Sequence, residues 1–206
     1  SCERAFDPTL RGKPLVVLSN NDGCVISRSN EAKDLGLKMA EPWHLAKDRP
    51  ELKEVKWLSS NYALYGDMSR RVYQVLSEFV PSVEPYSIDE MFLDFGGMRG
   101  RAQLGMRIRE AVLRATKIPT CVGIGPTKTI AKLANAVAKA DRTGSGVCDL
   151  SRAEARAQIY KTLALKEVWG LGPASIKKLA ATGATTVSDF VALPEDQVRQ
   201  LLTVVG

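Results

Sequence analysis

The sequence predicts an α+β protein followed by a separate, all-helical C-terminal unit, on three observations. Two β-prone runs, PLVVLS and CVISR, flank Asn20-Asn21-Asp22-Gly23. Strand-like and helix-like segments then alternate up to about residue 148, the order of mixed layers. Beyond Val147 only short helical patterns remain, after the turn-rich stretch ADRTGSG, which marks a domain boundary.

Asp-Gly between strand-like runs calls for positive φ and reads as a hairpin over residues 14–29. SNEAKDLGLKMAEP predicts a short helix from Asn30, stopped at Gly36 and Pro42. A longer helix is expected over 67–79, with Met68, Val72, Val75/Leu76 and Phe79 at helical spacing. The next segment, EPYSIDEMFLDF (84–95), admits two readings. One continuous strand would point Asp89 and Glu90 to opposite faces, with Asp94 on the face of Glu90. A hairpin of SVEPYS and EMFLDF, with Ile88-Asp89 at the bend, would let the two carboxylates converge. A helix over 101–116 follows, with Leu104, Ile108, Val112 and Ala115 on one face. TCVGIG (120–125) reads as a short buried strand, and Pro126-Thr127 opens a helix over 127–140. Short helices are expected at 151–162, 173–182, 185–192 and 194–204.

Composition excludes several classes. Of 206 residues, 45% are hydrophobic and 25% charged, as in ordinary globular proteins. No apolar run approaches the roughly 18–20 residues of a membrane span, and SCERAFDPTL has no apolar signal-peptide core. Four scattered cysteines without a CxxC pair, and a single histidine, His44, offer no zinc spacing. Reduced thiols and a cytoplasmic location are therefore expected. The formal net charge is +6, which favours an anionic partner. Residues 101–142 hold nine Lys/Arg against only Glu110 and Asp141, a local net charge of +7. The chain begins at Ser1 without Met and ends without a helix stop, so it is expected to be clipped at both ends.

Four constellations carry candidate chemistry. Asp89 and Glu90 stand in an otherwise apolar run, where carboxylates need partners. At a bend they suit a cation that takes oxygen ligands, Mg²⁺ first; exposed turn residues or salt-bridge members are the alternative. In KTIAKLANAVAK, Ile130, Ala134 and Val137 form the apolar stripe, and Lys128, Lys132 and Lys139 share the opposite edge. Ammonium groups gathered without acids suit a triphosphate or nucleic-acid backbone, or simply a solvated face. GIGPTK lacks the P-loop pattern. VWGLGPASIKKLAATG (168–183) resembles a helix-hairpin-helix element. There Gly170-Leu171-Gly172 would bring backbone N–H groups close to a DNA phosphate, beside Lys177 and Lys178; a tight helix–helix turn is the plainer reading. In SSNYALYGDMSRR, Tyr62, Tyr65 and Ser69 come near one another if the helix starts before Met68, with packing or a ligand contact as their role.

YSIDEMFLD, GIGPTKTIAKLAN with AKADRTG, and LSNNDGCVISRSNEAKDLGLKM together resemble the signatures of the Y-family translesion DNA polymerases. The Asn-Asn-Asp-Gly-Cys-Val block and SSNYALYGDMSRRV resemble the UmuC branch, with its ImpB, MucB and SamB type. The resemblance runs over the whole chain. It implies a polymerase palm with a ferredoxin-like antiparallel sheet (1–10 and 68–148), small α/β fingers (11–67) and an all-α helix-hairpin-helix thumb from 149.

It further implies Mg²⁺-dependent, template-directed DNA synthesis past damaged bases in SOS-type repair. Asp89 and Glu90 match two of three metal-binding carboxylates of a two-metal site. Lys139 matches a triphosphate-holding lysine, Lys33 stands where an arginine is usual, and Asn30 where many members have tyrosine. Gly170, Leu171, Gly172, Lys177 and Lys132 would meet DNA. Implied partners are primed template DNA, dNTP, a UmuD′-like dimer, a RecA filament and a sliding clamp, with no membrane. The first metal-binding aspartate and the little finger of the family fall outside the chain. The chain alone is accordingly expected to be inactive, a DNA-binding or regulatory module being the alternative function.

Overall fold

A computed structural model describes residues 1–202. The chain divides into two compact units, Ser1–Leu93 with Val112–Pro119, and Asp94–Ala111 with Thr120 onward. No helix among the described residues is long and apolar enough to cross a membrane.

The first unit opens with a short helix, α1 (Cys2–Phe6), ahead of β1 (Leu15–Leu18) and β2 (Val25–Arg28). The expected hairpin is present: β1 and β2 pair antiparallel, with a register shift between Val17 and Leu18. Its turn uses Asp22 at φ 53, and Asn21 Oδ1 accepts from Ser19 Oγ at 2.8 Å and Gly23 N at 3.3 Å. Next come α2 (Asn30–Asp34), α3 (Trp43–Ala46) and β3 (Lys56–Leu58). Ser29 caps α2 through Ala32 N, and the chain leaves that helix through Gly36 at φ +81. β3 adds in parallel on the other side of β1, giving the order β2-β1-β3. All four β1 residues are buried because this strand is central. Val16, Leu18, Val25, Ala32, Leu37, Trp43, Ala46, Leu52 and Val55 form one core around it. Neither α1, α3 nor β3 is foreseen from periodicity, since each is only 3–5 residues long.

α4 (Tyr62–Ser77) begins five residues earlier than expected. Asn61 sets that start, its side chain accepting from Leu64 N at 3.0 Å, a cap worth about 1 kcal/mol. Gly66-Asp67 interrupts the apolar pattern and hides the first turn. β4 (Val83–Pro85) and β5 (Met91–Leu93) then pair antiparallel, Pro85 opposite Met91. Of the two readings of residues 84–95, the hairpin is the one that forms.

α5 (Arg101–Thr116) matches its expected span. Ile108 and Val112 are buried as foreseen, but Ala115 is exposed, and Thr116 turns inward instead. Its hydroxyl donates to Val112 O at 2.7 Å, which satisfies the buried group.

In the second unit β6 (Val122–Ile124), α6 (Lys128–Ala140) and β7 (Val147–Asp149) form a β-α-β unit with parallel strands. β7 corrects the expectation of helices alone beyond Val147: three residues are too few to show a period, and their partner is distant in sequence. Thr127 caps α6 through Ile130 N, so Pro126 precedes the cap rather than entering the helix. Residues alternate across β6. Val122 meets Gly105 of α5, whereas a Cβ at Gly123 would collide with the α6 backbone at Ala131 O and Asn135 N. Gly125 likewise stands against Ile130 and Ala131. Strand and helix therefore touch backbone to backbone. Leu133, Ala134 and Ala138 are the buried residues of α6, while Ile130 and Val137 are half-buried at the margin.

The loop after α6 is more ordered than its composition implies. Asp141 Oδ1 accepts from Thr143 N at 3.1 Å, Thr143 Oγ1 at 3.0 Å and Gly144 N at 2.8 Å. These bonds hold its carboxyl below the usual range, the Thr143 hydroxyl first among them. The helices α7 (Ala153–Tyr160), α8 (Pro173–Ala180), α9 (Val187–Ala192) and α10 (Glu195–Leu202) follow as expected; residues 203–204 of the last expected helix lie outside the described residues. Leu165, Leu179, Ala184 and Leu202 are their buried core, with Leu171, Ile176 and Phe190 packed against it.

Candidate functional site

The carboxylate pair is carried by the β4–β5 turn. Glu90 O accepts from Tyr86 N at 3.0 Å and Ser87 N at 3.1 Å, closing the turn one residue before β5. Tyr86 and Phe92 brace it, with ring centroids 5.6 Å apart and planes inclined at 57°. Asp89 is exposed at the bend, where Ser87 Oγ donates to its Oδ1 at 2.8 Å. Glu90 is half-buried. The two side chains thus stand on a short, locally closed hairpin, and both are hard oxygen donors. No group of three or more His, Cys, Asp or Glu suited to a metal is assembled among the described residues.

Asn30 and Lys33, also in the first unit, come together. They share the exposed side of α2, with Lys33 Nζ 3.4 Å from Asn30 Oδ1. Asp22 at the β1–β2 tip accepts from Ser59 Oγ at 3.0 Å. Tyr62 and Tyr65 make an edge contact, centroids 6.2 Å apart. Tyr65 Oη donates to Glu3 Oε1 at 2.7 Å; burial, then that carboxylate, push its pKa up to about 12. This hydroxyl is an internal tie to α1, a partner that no local pattern discloses.

The second unit holds the remaining candidates. Lys128 and Lys139 are exposed at the two ends of α6, and Lys132 is half-buried between them. Lys132 Nζ lies 5.2 Å from the ring centroid of Trp169, a contact that neither segment discloses in the sequence. That turn runs through Gly170, at φ +94, to α8. Leu171 faces inward against the C-terminal core, so at this point the chain offers its backbone outward. Gly172 is exposed, with φ −78 and ψ 170, and a Cβ there would meet nothing within 4 Å. Gly172 is the N-cap of α8, which has no side-chain cap. The first-turn N–H groups of that helix are thereby left without a side-chain acceptor, an arrangement suited to an anion. Lys177 is exposed on the same helix, whereas Lys178 Nζ donates to Leu201 O of α10 at 3.0 Å. All four cysteines are free and half-buried; burial raises the thiol pKa of Cys2 and Cys148.

A model of the impB/mucB/samB family matches residues 1–136. The chain belongs to that family. Protein UmuC of Salmonella typhimurium strain LT2 is 48% identical, over 92% of this chain and 46% of the relative. Protein ImpB of Salmonella typhimurium is 44% identical over the whole chain and 50% of its own length. A protein named DNA polymerase IV, from Moorella thermoacetica, is 30% identical over the whole chain and 52% of that protein. The chain thus spans about half the length of the curated relatives it matches. Among solved structures, an insertion ternary complex of Dbh DNA polymerase aligns over 98% of this chain and 59% of that one, with TM-score 0.81 at 24% identity. The crystal structure of DinB from Sulfolobus solfataricus gives TM-score 0.79 at 23% identity, over 98% and 59%. Likeness at that identity is one of fold. The impB/mucB/samB family member described here has the expected α+β fold, and it matches Y-family polymerase structures over nearly its whole length.

Proposed function

We propose that the chain forms the palm, fingers and thumb of a translesion DNA polymerase that extends a primer opposite damaged template bases. The palm comprises about 1–10 and 68–148, the fingers 11–67 and the thumb residues from 149. The observation that carries this reading is the closed β4–β5 hairpin presenting Asp89 and Glu90 in a chain of this family. Two carboxylates supply hard oxygens of the kind Mg²⁺ takes, and waters and phosphate oxygens can complete its octahedron. Bound there, Mg²⁺ would activate the attacking 3′ oxygen and clamp the triphosphate. Lys139, Lys33 and Asn30 would orient the dNTP phosphates, and the cationic pair would offset their charge. The Gly170–Gly172 turn, the open N-terminus of α8 and Lys177 would hold the primed duplex by its phosphates, contacts that position without reading sequence. A UmuD′-like dimer, a RecA filament and a sliding clamp are proposed as further partners through the family resemblance.

The test is primer extension with Mg²⁺ and dNTPs on a lesion-bearing template, by a protein carrying this chain at the length of its relatives. Asp89→Asn and Glu90→Gln should each lower extension by about a thousandfold or more while primed DNA is still bound. Extension at the wild-type rate by either variant would remove the metal-ligand assignment. Binding without extension by the unmutated protein would leave a DNA-binding module.

A further inference from the structure

We infer that Lys132 is a positioning residue, and that its stacking on Trp169 clasps the glycine turn before α8 to the helix that carries Lys139. This deepens the polymerase reading and rests on it for the role of the turn in DNA binding. A pattern of lysines on one helix edge makes Lys132 a phosphate contact. The structure gives its charge another destination, the face of an indole 5.2 Å away, inside the roughly 6 Å reach of a cation–π interaction.

Trp169 immediately precedes Gly170, whose φ of +94 turns the chain, and its neighbour Val168 accepts from Leu171 N at 3.1 Å through its carbonyl. The turn is therefore held from two sides. Leu171 anchors it in the C-terminal core, and Trp169 anchors it to α6. A planar cation can replace Lys132, because arginine stacks on aromatic faces as well. A neutral chain of similar length cannot.

The experiment uses the 206-residue chain with Lys132→Met, Lys132→Arg, Trp169→Leu and the Lys132→Met/Trp169→Leu double variant. Two readouts are taken: urea unfolding, and affinity for a fluorescent primed duplex from 50 to 200 mM NaCl. Lys132→Met and Trp169→Leu are each expected to raise the unfolding equilibrium constant and to lower the DNA affinity by about two- to fivefold, the double by no more than the worse single. Lys132→Arg should behave as wild type. The slope of log affinity against log salt should be unchanged in Lys132→Met. A slope smaller by about one would make Lys132 a phosphate contact and overturn the clasp, as would strictly additive unfolding effects. If the unmutated chain binds no DNA, the DNA reading of the turn fails, and the unfolding cycle alone decides whether the clasp exists.

Discussion

Gly172 has backbone angles open to any L-residue, and its missing Cβ would meet nothing in the protein. A phosphate seated on the turn, as proposed above, would meet the added methyl group that the chain itself does not. Gly172→Ala should therefore shift stability by no more than about 0.5 kcal/mol while weakening binding to primed DNA by about fivefold or more. Equal affinity for the two proteins would argue that the turn meets no phosphate. Gly123 is the opposite case. Its Cβ would enter the α6 backbone, so Gly123→Ala should destabilise by about 3 kcal/mol or more, read from urea midpoints. Asp89 and Glu90 were conspicuous in the sequence because carboxylates interrupt an apolar run. Their placement at a bend needed the pairing of Val83–Pro85 with Met91–Leu93, which a single segment read alone leaves open. Lys132 was legible as a cation but not as a stacked one, since Trp169 lies 37 positions further along the sequence.

α9 shows how one turn of helix can depend on a single carboxylate. Asp189 closes a capping box with Thr186, accepting from Thr185 N at 2.9 Å and Thr186 N at 2.8 Å while its own N–H donates to Thr186 Oγ1. Those backbone donors, Thr185 first, lower its pKa to about 2. Folding therefore favours the ionised form. The contribution is fully present above the ordinary aspartate range near pH 4 and is lost as the pH falls through about 2. Circular dichroism of Asp189→Asn should show a weaker acid dependence of unfolding between those limits than wild type; identical profiles would place the acid sensitivity elsewhere. Thr186→Ala should cost about 1 kcal/mol, measured at neutral pH. Long elements such as α5 were legible because their periodicity is local and repeated. α4 was legible in its body, but its start is set by Asn61 rather than by apolar spacing. β7 was not legible, because a three-residue strand is defined by its partner, β6.

At the scale of the molecule, charge is concentrated rather than spread: residues 101–142 alone are more basic than the whole chain. If about three or four lysines and arginines meet phosphates, affinity for primed DNA should fall about a hundredfold between 50 and 200 mM salt. A fall of under threefold would exclude backbone recognition as the main source of binding. The two compact units also differ in how their contacts are made. Around β1, cohesion comes from Val, Leu and Trp side chains withdrawn from water, and such burial carries a large heat capacity. Between β6 and α6 the glycines let main chain rest on main chain, where dispersion between close-packed atoms acts over little apolar area. The first kind of cohesion weakens in the cold and the second does not. Cooled toward freezing, the sheet around β1 should lose its margin sooner than the strand and helix that meet at Gly123.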